Sequence, residues 1–375
     1  MIIKVLLMIN KKKLALFIPL FLSVLCVTAS CTFPKENTEV SGMTDPGSDS
    51  APASSDVSDN SSEPCENAPE EQAGLNEHDG PEEHGGLRVE NGRLLDESGE
   101  KLQLRGMSTH GIGWYPNYIN AGAMKSVREA GGNVMRVAMY TEADSGYLSE
   151  PESNMNMVLQ AIENARAMDM YIIVDWHILD DGDPNKYLDK AITFFDAVAS
   201  RYPGDPAILY EVCNEPNGVS WEDIKKYGYA ICPVIRQYSP QAVIILGTPE
   251  FSYDISSPLN EPFEQENILY SYHFYAGMHK SFSGLENAVR EGLPVIVSEW
   301  GIDKDTNGEP QLETAESFAD YINEEGISWC AWSLCNKDEV FSVLRPDCNK
   351  LGSWQESDLT EVGKLIFEKM EGKAE

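Results

Sequence analysis

From about Leu87 to the C-terminus, short apolar runs alternate with segments of helical period, and the alternation recurs roughly eight times. The runs are Leu102–Gly106, Val134–Met139, Tyr171–Trp176, Ile208–Cys213, Ala242–Leu246, Ile268–His273, Val295–Ser298 and Ser328–Trp332. Between and after them lie Ala121–Ala130, Met155–Met168, Tyr187–Arg201, Trp221–Gln237, Leu285–Glu291, Thr314–Glu324 and Leu359–Glu368, all with helical spacing. Continuously apolar runs belong to strands buried on both faces. Strands that alternate with helices build parallel sheets. Eight such units in roughly 285 residues predict an α/β fold, a single closed (β/α)8 TIM barrel. An open doubly wound sheet is the alternative, but it calls for a Gly-rich phosphate loop after the first strand, which "RGMSTHGIGW" is not. Ahead of the first unit, "LRVENGRLLDESGEKLQLRG" reads as short strands joined by Asn-Gly and Ser-Gly turns.

The barrel occupies 87–375, and two other segments precede it. In 1–31, Lys11–Lys13 form a basic region, Leu14–Val27 an apolar stretch too short for a comfortable membrane span, and Thr28, Ala29 and Ser30 lead into Cys31. This is a secretory signal, with translation starting at Met1 or Met8. "VTASC" resembles a bacterial lipobox, in which Cys31 would carry lipid; cleavage after Ala29 and simple secretion is the alternative. Segment 32–86 is rich in Ser, Pro, Asp and Glu and nearly devoid of large apolar residues, the composition of a solvated acidic linker. The net charge of −33 argues against nucleic acid and anionic lipid surfaces as partners, and leaves uncharged substrates open. The folded part holds five cysteines, Cys213, Cys232, Cys330, Cys335 and Cys348; Cys335 and Cys348 bracket a loop and are the best disulfide candidates.

In a (β/α)8 barrel the chemistry sits where strands end. The ends here carry His110, Arg136, Tyr140, His177, Asn214, Glu215, His273, Tyr275, Glu299, Trp300 and Trp332. Strand ends chosen for stability alone would not be so uniformly polar or aromatic. Glu215 follows the fourth barrel strand and Glu299 the seventh, so the two face each other across the mouth. A pair of carboxylates across a cleft suits glycoside hydrolysis, one as proton donor and one as anion. Arg136 and Tyr275 can both donate to Glu299 and keep it ionised, which makes Glu299 the nucleophile and Glu215 the acid/base. The bland reading of Arg136 and Glu299 is a rim salt bridge. Asn214 can hydrogen-bond a sugar hydroxyl, or simply form the turn before Pro216.

His177 and His273 either orient the carboxylates or serve as structural hydrogen-bonding residues. The histidines fall on different strands without tight ligand spacing, so no catalytic metal is expected. Trp114, Tyr115, Tyr140, Trp300 and Trp332 follow strand ends, where aromatic planes can pack against sugar rings. A row of them suggests several subsites and a polymeric substrate.

At these residues the chain resembles glycoside hydrolase family 5, in its bacterial endo-β-1,4-glucanase branch. "RGMSTHGIGWYP", "RVAMYT", "VDWHILDDGDPN", "YEVCNEPNG", "YSYHFYAG", "VSEWG" and "WCAWSLCNK" match in the family's order. The resemblance implies a (β/α)8 barrel, a retaining mechanism without cofactor, Glu215 as acid/base and Glu299 as nucleophile. It places Arg136, His177, Asn214, His273, Tyr275 and Trp332 at conserved site positions, and His110, Trp114, Tyr140, Lys337 and Glu339 along the sugar sites on the non-reducing side. Three departures stand out: Cys335-Asn336-Lys337 in place of Ser-Asp-Lys, Cys213 in place of a smaller residue, and "GTPEFSYD" in place of a Gly-Thr-Trp type loop. The last predicts a missing aromatic at one subsite. The expected protein is an exported, lipid-anchored, monomeric β-glucan hydrolase. Mannan, glucomannan or mixed-linkage glucan are alternative substrates, and a silent glucan-binding surface lipoprotein is an alternative of another class.

Overall fold

The computed structural model describes residues 79–371. Eight strands close into a parallel barrel: β3 (Arg105–Thr109), β4 (Val134–Tyr140), β5 (Tyr171–His177), β6 (Ile208–Glu211), β7 (Ile244–Leu246), β8 (Ile268–Tyr275), β9 (Val295–Gly301) and β10 (Trp329–Leu334). The helices fall where the 3.6-residue period placed them, within a few residues at each end. No helix among the described residues is long and apolar enough to cross a membrane. The apolar run Leu14–Val27 and Cys31 lie outside the described residues.

Alternate residues of each strand face opposite sides, and the two sides have different chemistry. Met135, Val137 and Met139 pack outward against the helices, while Val134 joins an inner cluster with Tyr171, Ile173, Leu209, Ile245 and Leu269. The same inward row continues upward as Arg136, Asp175 and Glu211, all fully buried. The barrel interior is therefore apolar at its base and ionic towards its mouth.

The base is closed by a hairpin of β1 (Arg88–Glu90) and β2 (Arg93–Leu95). Asn91 and Gly92 both adopt positive φ, 51° and 75°, as a two-residue turn matched to strand twist requires. Leu87, Leu94, Leu102 and Leu104 plug the base from below. That is why the first barrel strand starts at Arg105 and not at Leu102 as the apolar run suggested. The folded unit also begins earlier than Leu87. Pro81–His84 forms a helical turn, the Glu82 N–H donates to Asp169 Oδ1 at 2.9 Å, and His84 Nδ1 meets Asp96 Oδ2 at 2.8 Å. The acidic composition of "GPEEHGG" conceals this docking.

Strand β9 contains one extra residue. Between the pairs Ser271↔Ile296 and His273↔Glu299, β8 advances by two residues and β9 by three. Against β10 the same excess separates Trp329↔Val297 from Ala331↔Trp300. Such a bulge re-aims the side chains after it. Here it turns Ser298 and Glu299 both inward and sends Trp300 outward.

Two expectations are corrected by this packing. Trp300 is not a rim platform: it is fully buried, edge-on to Trp329 at 5.7 Å and close to Phe318. The Cys335–Cys348 disulfide does not form, and all five cysteines of the folded part are free thiols. Cys335 Sγ lies instead 3.3 Å from Ser333 Oγ and 3.2 Å from Ser342 Oγ.

Candidate active site

Arg136 is the hub of the mouth. Its Nε donates to Glu211 Oε2 at 2.6 Å, and Nη1 to Glu299 Oε2 at 3.0 Å and Ser108 Oγ at 3.1 Å. Nη2 donates to Asn214 Oδ1 at 2.6 Å and reaches Asp175 Oδ2 at 3.0 Å. A guanidinium at zero exposure needs such neighbours, because an unpaired buried charge is prohibitively costly. The contact with Glu299 is thus one spoke of a buried ionic cluster, which a rim salt bridge is not.

Glu299 accepts a second hydrogen bond, from the Tyr275 hydroxyl to Oε1 at 2.5 Å. Burial alone would raise its carboxyl pKa. His273 and Arg136, together with the Tyr275 hydrogen bond, outweigh burial and hold it below the ordinary value. Glu215 goes the other way. Burial pushes it up, the Glu299 charge adds to the push, and the His273 hydrogen bond offsets only part of it. Two carboxylates with opposite shifts make an acid and an anion at one pH.

One oxygen of Glu215, one of Glu299 and a ring nitrogen of His273 lie within 4.8 Å of one another. The gap fits the roughly 5–5.5 Å of retaining glycosidases and is too short for the roughly 6.5–9.5 Å of inverting ones. A trio of this kind could also offer ligands to a cation, which the scattered histidines of the sequence did not suggest. Both nitrogens of His273 are, however, already engaged: Nδ1 with Glu215 Oε1 at 2.8 Å and Nε2 with Ser298 Oγ at 3.1 Å.

The two histidines differ. Burial and the Arg136 charge push His177 down to about 3, so it is neutral. Its Nε2 accepts from Asn214 Nδ2 at 3.2 Å, so its Nδ1–H donates to Asp175 Oδ2 at 2.6 Å. Burial opposes a charge on His273 too, but Glu299, Glu211 and Glu215 raise it to about 9. Asn214 departs from the role expected of it. Its Oδ1 faces Arg136, and its amide hydrogens go to His177 Nε2 and the Ile178 carbonyl at 3.1 Å. It bridges Arg136 to His177 and leaves no hydrogen free for a sugar hydroxyl.

The remaining expected residues converge on one cavity of about 790 Å³ beside the carboxylates, lined by His110, Trp114, Tyr140, Trp332, Lys337 and Glu339 among others. Trp114 is 44% exposed and edge-on to Tyr140 at 4.8 Å, while Trp332 stacks on His177 at 5.4 Å. Lys337 Nζ pairs with Glu339 Oε2 at 2.6 Å. Glu142, Asp144, Asp180 and Lys186 also line the cavity and carried no signal in the sequence.

The loop that stands in place of a Gly-Thr-Trp type carries an aromatic of its own. Phe251 is half-exposed on a turn in which Glu250, Phe251 and Ser252 all have left-handed φ, 55°, 61° and 57°. Non-glycine residues rarely adopt this conformation, and three in succession need external support. The Phe251 N–H donates to the Pro216 carbonyl at 3.1 Å and Ser252 Oγ to the Asn214 carbonyl at 2.6 Å, fastening the turn to the Glu215 loop.

A closed parallel barrel with two carboxyls of opposite pKa shift facing each other at its C-terminal rim defines a glycoside hydrolase of the retaining type. The family model for cellulase, glycosyl hydrolase family 5, matches residues 95–338, and the chain belongs to that family. It is 43% identical over 299 residues to Endoglucanase N of Pectobacterium atrosepticum, across 78% of this chain and 67% of that protein. Endoglucanase 5 of Pectobacterium carotovorum is likewise 43% identical, with 59% of its length covered. Among solved structures, the catalytic domain of a Thermobifida fusca endoglucanase in complex with cellotetraose is 35% identical, with a TM-score of 0.73 over 77% of this chain and 98% of that one.

Proposed function

We propose that this protein is a retaining endo-β-1,4-glucanase that cleaves internal bonds of cellulose or a related β-glucan. The observation that carries the reading is the opposed electrostatics of Glu215 and Glu299 within 4.8 Å. Glu299 attacks the anomeric carbon while Glu215 gives its proton to the departing glycosidic oxygen. A covalent glycosyl–Glu299 ester results. Glu215, now ionised, takes a proton from water, whose oxygen displaces Glu299 and restores both carboxyls with configuration retained. The exposed Trp114, in the cavity beside the pair, favours a chain that extends past the scissile bond.

The test is release of reducing ends, with viscosity, from carboxymethyl cellulose, glucomannan and mannan in parallel. A rapid fall in viscosity of the cellulose derivative supports the endo-glucanase reading. Activity on mannan alone moves the substrate class. Silence on all three favours a glucan-binding surface protein.

The same proposal places the enzyme outside the cytoplasm, held by lipid on Cys31 and acting as a monomer. The signal-like residues ahead of Cys31 and the acidic linker support this reading. Metabolic labelling with palmitate should mark the wild type and not Cys31→Ala.

A further inference from the structure

The acid/base pair is wired to a carboxylate that touches no substrate. Glu211 lies four residues before Glu215 and is fully buried below it. Its two oxygens serve opposite halves of the site. Oε2 accepts from Arg136 Nε at 2.6 Å, and Arg136 in turn holds Glu299. Oε1 accepts from Ser298 Oγ at 2.7 Å, and Ser298 contacts His273 Nε2 at 3.1 Å.

Hydrogen counting fixes the direction of this chain. An ionised carboxylate only accepts, so the single hydroxyl hydrogen of Ser298 goes to Glu211. Ser298 Oγ must then accept from both of its other neighbours, the Ser271 hydroxyl at 2.6 Å and His273 Nε2. His273 Nε2 therefore carries a hydrogen. The one proton left to move lies on the 2.8 Å line between His273 Nδ1 and Glu215 Oε1.

We infer that Glu211 is a positioning residue for the reaction: acting through Ser298, it holds His273 in the Nε2–H form and so keeps the exchangeable proton on the line to Glu215. The inference rests on Glu215 being the acid/base of the proposed hydrolysis. Charged and titratable groups reach His273 from every side: Glu211 and Glu215 from β6 and its loop, Glu299 from β9, Asp175 from β5 and His279 beyond its own strand, with Arg136 of β4 bound to Glu211 and Glu299. His177, also on β5, is neutral. Glu211 is the one carboxylate that shares a hydroxyl with the Nε2 side of the ring.

The pair loses its shared proton in one macroscopic step, which is the basic limb of the rate profile. Glu211→Gln removes the anion that favours that proton and the constraint that orients Ser298. The basic limb should fall by about one pH unit or more, which is about tenfold in kcat/KM on cellotetraose above the limb. Ser298→Ala cuts the relay while leaving the Glu211–Arg136 contact, and should shift the same limb in the same direction. The acid limb, set by Glu299, should stay in place in that variant.

Ring 15N titration of His273 in the full chain gives a readout independent of catalysis. The wild type should keep Nε2 protonated through neutral pH, and both variants should lose ring protonation at lower pH. Basic limb and ring titration both unchanged, in Ser298→Ala and in any folded Glu211→Gln, would overturn the inference. If the wild type hydrolyses none of the glucans, the functional reading fails, and the ring titration still decides where Glu211 holds the proton.

Discussion

The Tyr275 hydroxyl donates to Glu299 Oε1 across 2.5 Å, on the opposite oxygen from Arg136. Each oxygen of the nucleophile thus has its own donor. Tyr275→Phe deletes one of them and leaves the other. A hydrogen bond to a charged group contributes about 1.5–3 kcal/mol, so kcat/KM on cellotetraose should fall by about 10- to 100-fold. With less stabilisation of the anion, the pKa of Glu299 rises, and the acid limb of the pH profile should move to higher pH. An acid limb that stays where it was would mean that the phenol does not act on Glu299.

Glu215 and Glu299 should separate by substrate. Glu215→Ala should lose about 10²–10⁴-fold on unactivated cello-oligosaccharides. It should form the glycosyl-enzyme far less impaired from an aryl cellobioside whose leaving group needs no proton. Glu299→Gln should abolish turnover on both and still bind cello-oligosaccharides by calorimetry. Equal losses on the two substrates for Glu215→Ala would remove the acid/base assignment.

Folding stability should depend on pH in two windows. His273 rises from 6.5 to about 9 on folding, so its contribution is complete below pH 6.5 and is lost as pH climbs through about 9. Burial would raise Glu211, but Arg136 and His273 lower it from 4.5 to about 2; its contribution is complete above pH 4.5 and fades as pH falls towards 2. Urea midpoints measured from pH 3 to 10 should describe a plateau with a fall on each side. The alkaline fall should be absent in His273→Asn.

Phe251 and Trp300 should respond to truncation in opposite ways. Phe251→Ala removes a half-exposed ring. It should weaken kcat/KM on long oligosaccharides by up to about tenfold, as a sugar–aromatic contact of about 1 kcal/mol implies, and leave the melting temperature in place. Trp300→Ala empties part of the core and should cost about 3–5 kcal/mol of stability. A Trp300 variant with unchanged unfolding would contradict its place behind the barrel wall.

The barrel was legible because burial on both faces imposes long apolar runs, and nearly every strand fell where such a run stood. The two glutamates were legible because they stand at strand ends next to helix breakers and turn formers. Asp175 and Glu211 were not read, although each interrupts an apolar run, in "IIVDWH" and "LYEVC". A charge inside a doubly buried strand signals an ionic layer below the rim. Trp300 was misplaced because period-two counting cannot see a bulge. Phe251 was missed because a left-handed turn of non-glycine residues has no composition of its own; hydrogen bonds to Asn214 and Pro216 hold it.

The extra residue in β9 sets which strand positions the chemistry can use. With strict alternation Ser298 would face inward, Glu299 would point into the helical shell, and Trp300 would fill the mouth. A deletion of one residue between Ile296 and Glu299 would therefore keep the acid inward and cost the interior its second inward group, the Ser298 hydroxyl. Most insertions and deletions in a barrel are absorbed by loops. This strand instead carries its extra residue inside the wall, and that residue is what lets a hydroxyl and a carboxylate stand side by side in the interior.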